Sequence, residues 1–153
     1  MKMDNPAWRF NGNERKYLEE VLSTGFRAGA DGAFTMRLEQ FFAKVYNAKY
    51  GISFNSGTTT LHSILLAMGC SEGDEVLTPA LTPAMCGLAP HYTGATPVFV
   101  DVLPDQNIDP TRIEAAITNR TKAIMPVHLT GRMCDMDPII EIAKKYGLKI
   151  IED

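Results

Sequence analysis

Long apolar runs are missing from this sequence. No stretch approaches the ~20 residues that a membrane-spanning helix needs, and the opening MKMDNPAWRFNGNERK is polar, without the apolar centre of a secretory signal. Cysteine is scarce. The three present, Cys70, Cys86 and Cys134, show neither CxxC nor Cys/His ligand spacing. An odd, unpatterned set argues against a disulfide framework or zinc site and for reduced, partly buried thiols. Charge of one sign is lacking too: 15 Lys and Arg against 18 Asp and Glu leave a formal net charge of −3. Both signs are scattered, so nothing in the charge pattern calls for nucleic acid or an anionic membrane as a partner. There is no low-complexity tract, no internal repeat, and neither GxxxxGK[ST] nor GxGxxG, which leaves nucleotide-loop readings without support. These absences point to a cytoplasmic globular protein.

What is present falls into two textures. Residues 14–23 and 35–46 read as helices, the second with Leu38, Phe41, Phe42 and Val45 at helical spacing. A glycine-rich loop, Gly25 to Gly32, separates them. From residue 50 short apolar strands alternate with amphipathic helices, the strands at 50–54, 75–78, 97–100, 122–127 and 148–152. Asp109-Pro110 and Asp137-Pro138 each offer a capping acid followed by proline at a helix start. Gly69 and Gly147 fall where left-handed helix ends are expected. Ile139, Ile142, Ala143 and Tyr146 form one apolar stripe on the last helix. The division is a helical segment over 1–48 and an α/β part over 49–153, within a single structural unit. Strand–helix alternation implies a mostly parallel sheet between helices, a three-layer sandwich.

In such a sheet ligands bind beyond the carboxyl ends of the strands. The residues delivered there are Asn55 to Thr58, Pro79 to Thr82, Asp101, His128 and Asp153. Ser56-Gly57-Thr58-Thr59-Thr60 joins a strand to a helix whose apolar face is Leu61, Ile64, Leu65 and Met68. Free N–H groups at a helix start, with hydroxyl donors beside them, suit a phosphate, and Gly57 permits close backbone approach. The plainer alternative is that Ser56 or Thr58 only caps the helix. His128 reads as a hydrogen-bonded structural residue, as do His62 and His91, and Asp101 as the start of a turn. Asp153 ends the most buried-looking strand, where a carboxylate needs a partner; the protonated ring nitrogen of a ligand would serve.

Taken in order, these segments resemble the DegT/DnrJ/EryC1/StrS sugar aminotransferases. The resemblance is nearly collinear along the chain. It runs from Glu14–Gly25 through Phe34–Ala43, Ser56–His62, Gly73–Val76, Gly94–Asp101, Asn107–Pro110 and Thr121–Gly131 to Asp135–Asp137 and Ile151–Asp153. It implies the large domain of the type I aminotransferase fold, present here in part. It also implies pyridoxal phosphate (PLP) as cofactor, a nucleotide-linked keto sugar and glutamate as substrates, and a homodimer. Gly57, Thr58 and Thr59 match the phosphate-holding positions, and Asp153 matches the aspartate that pairs with the pyridine nitrogen. Pro83 stands where relatives carry an aromatic ring over the cofactor, with Met85 near it.

The lysine that holds the cofactor covalently in this family lies beyond the position of Asp153. No lysine within residues 1–153 matches it, so no catalytic residue is assigned and the chain alone is expected to be inactive. Residues 50–54 are expected to lack their usual strand neighbour, favouring self-association or a rearranged N-terminal segment. Two other readings stay open on the sequence: a related sugar dehydratase with histidine in place of the lysine, and a non-enzymatic module that binds a phosphorylated ligand.

Overall fold

The strands carry consecutive apolar residues, Val76-Leu77 and Ala123-Ile124-Met125 among them, which the pleat divides between the two faces of the sheet. The structure, a computed structural model, describes residues 12–25 and 33–153. The two compact units are Met1–Ser53 and Phe54–Asp153; most of the Gly25–Gly32 loop lies outside the described residues. In the second unit β1 (Glu75–Pro79), β2 (Thr96–Val100), β3 (Thr121–Ile124) and β4 (Lys149–Ile150) form a sheet of order β2-β1-β3-β4. Every pairing is parallel.

Successive strand side chains point to opposite faces. Val76, Ala123, Met125, Val127 and Ile151 therefore meet Leu61, Leu65, Cys86 and Ala89 on one face. Leu77 and Ile124 meet Ile113, Ile139 and Ala143 on the other. The first helical set belongs to α3 (Gly57–Ala67) and α4 (Ala84–Tyr92), the second to α5 (Pro110–Ala116) and α6 (Met136–Tyr146). The expected three-layer α/β sandwich is what forms.

Helix ends follow local chemistry. Gly69 and Gly147 adopt φ of 75° and 67°. Beyond them Cys70 N donates to Leu65 O at 2.9 Å and Leu148 N to Ala143 O at 2.8 Å, the reach-back bond of a left-handed helix end. Asp109 caps α5 by accepting from Thr111 N at 2.9 Å. α6 differs from expectation: Asp135, not Asp137, holds the cap position. Pro138 then falls in the first turn, where its missing N–H forfeits no helical bond. Tyr146, expected on the apolar stripe, is the last residue of α6 and is exposed, with Lys145 Nζ 5.1 Å from its ring centroid.

The strand expected over 50–54 does not form. Tyr50 and Ile52 are each 71% exposed, and the segment has no place in the sheet. A strand exists only through a neighbour's hydrogen bonds, and among the described residues this segment finds none. The first unit holds it instead. Glu39 accepts from Ser53 N at 2.8 Å and Ser53 Oγ at 2.9 Å, and Gly51 packs so closely that a Cβ would lie 2.4 Å from Glu39 O. In that unit α1 (Glu14–Ser23) and α2 (Ala33–Val45) are tied by Arg37 Nη1 donating to Glu20 at 2.8 Å. Leu38, Phe41, Phe42 and Val45 of α2 do share helical spacing, but all four are exposed.

The amino-terminal edge of the sheet is sealed by Glu75, which is 5% exposed. Its carboxylate accepts from Thr118 Oγ1 at 2.5 Å, from Arg120 Nε at 2.9 Å and from Arg120 Nη2. Thr118's hydroxyl first, and then Arg120, holds its pKa below the ordinary value of 4.5 against the cost of burial. A depressed folded-state pKa adds stability above the unfolded value and loses it as pH falls through the folded one. Glu75→Gln is therefore expected to cost about 1–2 kcal/mol at pH 7. Urea melts at pH 7 and pH 3.5 should show that gap closing in acid; an equal gap at both would contradict the assignment.

Candidate functional site

Strand order reverses at β1. The connection after β1 leads through α4 to β2 on one side, while β3 and β4 lie on the other. At such a switch point ligands bind beyond the carboxyl ends of the strands, and the helices concerned here are α3 and α4. Both helices pack on the same face, through Leu61 and Cys86 against Val127 and Ile151.

The start of α3 divides its labour. Ser56 Oγ accepts from Thr59 N at 3.2 Å, so the capping role foreseen for Ser56 is real. Thr59 Oγ1 donates within the loop, 2.7 Å from Asn55 Oδ1 and 2.8 Å from Ser56 O. Thr59 thus locks the turn. Gly57 and Thr58, the first two helical residues, have no carbonyl one turn earlier to receive their N–H groups. The Thr58 hydroxyl makes no hydrogen bond among the described residues, and a Cβ placed on Gly57 would meet nothing within 4 Å. Two amide donors and one hydroxyl are thus left without a partner among the described residues at the positive end of an 11-residue helix.

β3 and β4 continue pairing beyond their regular spans. Ile151 N donates to Ile124 O at 3.0 Å, Asp153 N to Pro126 O at 3.0 Å, and His128 N to Asp153 O at 2.8 Å. This ladder fixes the Asp153 backbone. Its side chain touches one polar group: Cys86 Sγ donates to Oδ2 at 3.1 Å. The expectation of a buried carboxylate is corrected, since Asp153 is exposed. The second oxygen, Oδ1, has no partner among the described residues.

Cys86 is fully buried in the first turn of α4. Burial, and then the Asp153 carboxylate, push its thiol up to about 11, so at neutral pH it is a protonated donor and not a nucleophile. All three thiols are free and buried, more so than the sequence suggested. Thr78 Oγ1 and Thr82 Oγ1, on β1 and just after it, are buried without a partner of normal hydrogen-bond geometry, although Thr82 lies near enough to the thiol to temper its shift.

Pro83 occupies the cap position of α4 and is exposed; its carbonyl accepts from Cys86 N at 3.0 Å. Among the described residues Thr58, Pro83 and Asp153 make no hydrogen bond to one another. His128 is structural, as read: Nδ1 accepts from Cys134 N at 3.1 Å, which leaves the proton on Nε2, 3.0 Å from Glu152 Oε2. His62 lies edge-on to Tyr92, with ring centroids 5.9 Å apart. Asp101 leads into a small hairpin rather than a turn of its own: its carbonyl accepts from Asp109 N at 2.9 Å, Val102 bridges Ile108, and the turn closes where Gln106 N donates to Leu103 O at 2.8 Å.

Two residues escaped the sequence reading of the site. Asn107, fully buried, donates Nδ2 to Arg132 O at 3.2 Å and Met133 O at 3.0 Å, and accepts from Leu129 N at 3.3 Å. It holds the turn after His128. The other is Cys86, whose position three residues after Pro83 in the helix following β1 was the available signal.

The sequence profile described as the DegT/DnrJ/EryC1/StrS aminotransferase family matches residues 9–153. The chain belongs to this family. It is 48% identical over 148 residues to GDP-perosamine synthase of Caulobacter vibrioides, covering 96% of this chain and 40% of that protein. Among solved structures it superimposes on 3-amino-5-hydroxybenzoic acid synthase with a TM-score of 0.89, at 36% identity over 94% of this chain and 38% of the other. NtdA of Bacillus subtilis, solved with bound cofactor PMP, gives 0.85 at 40% identity over 90% of this chain and 32% of the other. The chain spans about two-fifths of the length of the GDP-perosamine synthase it matches. Among the described residues no helix is long and apolar enough to cross a membrane, and no cluster of His, Cys, Asp or Glu could hold a metal ion.

Proposed function

We propose that this chain carries the phosphate-holding and ring-nitrogen-holding part of a PLP-dependent aminotransferase acting on nucleotide-linked keto sugars, with glutamate as amino donor. The observation that carries the reading is the pairing of two unfilled binding groups at one switch-point edge. These are the open Gly57–Thr58 helix start and the free oxygen of Asp153. An anion suits the first and a protonated ring nitrogen the second. PLP has both, so the residues present fit it. GDP-perosamine synthase among the relatives supports a sugar carried on a nucleotide.

When bound, PLP supplies an electron sink for the pair released as the substrate Cα–H bond breaks. The chain's own residues do the rest. The N–H groups of Gly57 and Thr58 and the Thr58 hydroxyl would hold the phosphate. Asp153, through the carboxylate oxygen that Cys86 does not take, would pair with the ring nitrogen, and its negative charge would keep a proton there. Ser56 and Thr59 keep the helix start open. Pro83, exposed at the start of α4, offers a small apolar surface to the ring face, narrower than an aromatic side chain would.

The four lysines of the second unit sit on β3, α6 and β4, with Lys144 in the last turn of α6. Lys122 donates to Gly69 O and Asp74 at 3.1 Å each, Lys145 to Glu114 at 2.9 Å, and Lys149 begins β4. The chain by itself is therefore expected to bind cofactor and to turn over no keto sugar. Calorimetry with pyridoxamine phosphate, which has no aldehyde to condense with surface lysines, tests binding. Saturable uptake that weakens when phosphate is removed from the probe supports the reading; equal uptake of pyridoxamine and its phosphate contradicts it. Turnover of a keto sugar with glutamate by the purified chain would contradict the inactivity.

The exposed apolar residues of α2 and the exposed 50–54 segment favour self-association of this chain. Sedimentation should show a dimer or larger species across the micromolar range, and a monomer throughout would contradict it.

A further inference from the structure

We infer that Cys86 is a positioning residue for Asp153: its thiol takes one carboxylate oxygen and leaves the other for the ligand. The inference rests on the cofactor reading above and names a device inside that site. Three observations carry it. The contact joins residues 67 apart in sequence, Sγ to Oδ2 at 3.1 Å, so it depends on the tertiary fold. Cys86 is 0% exposed between Ala89, Leu65 and the sheet, so its Sγ has little room to move. The Asp153 backbone is fixed independently by Pro126 O and His128 N, leaving the side-chain torsions as the carboxylate's remaining freedom. A bond from a rigid donor to one oxygen removes most of it.

The choice of donor has a chemical consequence. A charged partner such as arginine would compete with a ring nitrogen for the carboxylate's charge. A buried thiol is a weak neutral donor. It orients the carboxylate while leaving its charge for the ligand. Burial, with Asp153 adding to it, also keeps the thiol protonated, so the donor persists across the pH range in which an enzyme of this kind works.

The S–H stretching band in the infrared spectrum reads this bond directly in the unliganded chain. The Cys86 band, identified by its loss in Cys86→Ala, is expected below that of Cys70, and Asp153→Asn should move it upward. A Cys86 band at the Cys70 position, unmoved by Asp153→Asn, would overturn the inference. Pyridoxamine phosphate affinity gives the second readout. Cys86→Ala should weaken it about three- to tenfold, Cys86→Val likewise, and Cys86→Ser, which keeps a donor, should restore it to within about twofold. Inorganic phosphate affinity should not change in any of them. Equal affinities for all three variants and the parent would overturn the positioning role. If the parent binds no pyridoxamine phosphate while its Cys86 band is shifted and responds to Asp153→Asn, the cofactor reading falls and the Cys86–Asp153 coupling stands.

Discussion

A Gly57→Val chain is expected to fold as the parent does and to bind pyridoxamine phosphate at least about tenfold more weakly, a loss of ~1.4 kcal/mol or more. The folding half follows from space. A Cβ at Gly57 meets nothing within 4 Å, and one β-branched residue in a first helical turn costs a few tenths of a kcal/mol. The binding half follows from the same open space, because the valine methyls would stand in front of the N–H groups that an anion must approach to ~2.9 Å. Ser56→Ala is the informative contrast. It removes the bond to Thr59 N and should cost about 1 kcal/mol of stability with a smaller effect on affinity. Thermal melts and calorimetry on the two variants separate these outcomes. If Gly57→Val bound as the parent does, the helix start would be a capped end and nothing more.

Ile124→Ala carries the largest expected effect on folding, about 3–4 kcal/mol. Ile124 lies at the centre of the sheet, fully buried, paired in register with Leu77 on one side and Ile150 on the other. It packs in the same core as Ile139 and Ala143 of α6. Truncation leaves a cavity between two regular elements that cannot both collapse into it. Whole domains are stable by ~5–15 kcal/mol, so the variant should unfold at markedly lower urea. Tyr146→Ala, at the exposed end of α6, should stay within about 0.5 kcal/mol of the parent. Similar urea midpoints for both variants would mean that the core is not where the burial places it.

Much of the fold is legible because its signals are local. Short apolar runs mark β1 to β4, and Gly69, Asp109 and Gly147 mark helix ends through their own backbone chemistry. The segment 50–54 has the right residues for a strand and forms none, because strand formation needs a neighbour and composition does not supply one. The apolar character of Ile150 and Ile151 marks Ile151 correctly as buried but does not extend to Asp153, which is exposed. The helix-start donors at Gly57 and Thr58 could be read from sequence, and so could the hydrogen-bonded character of His128. The contact between Cys86 and Asp153 could not, since it arises only when β4 settles beside β3 and α4 folds back over the sheet. Asn107 escaped as a site residue for the same reason, its partners lying 22 to 26 residues away.

The most direct test is an amide chemical-shift map of the chain titrated with pyridoxamine phosphate. If one ligand bridges the two groups, the amides of Gly57, Thr58 and Asp153 should shift together with one saturating dissociation constant, and Asp153→Asn should weaken binding while leaving the Gly57 and Thr58 shifts in place at saturation. Shifts confined to the opposite edge around Lys122 and Lys149, or responses at Gly57 and Asp153 that saturate independently, would contradict a single cofactor site at the switch point.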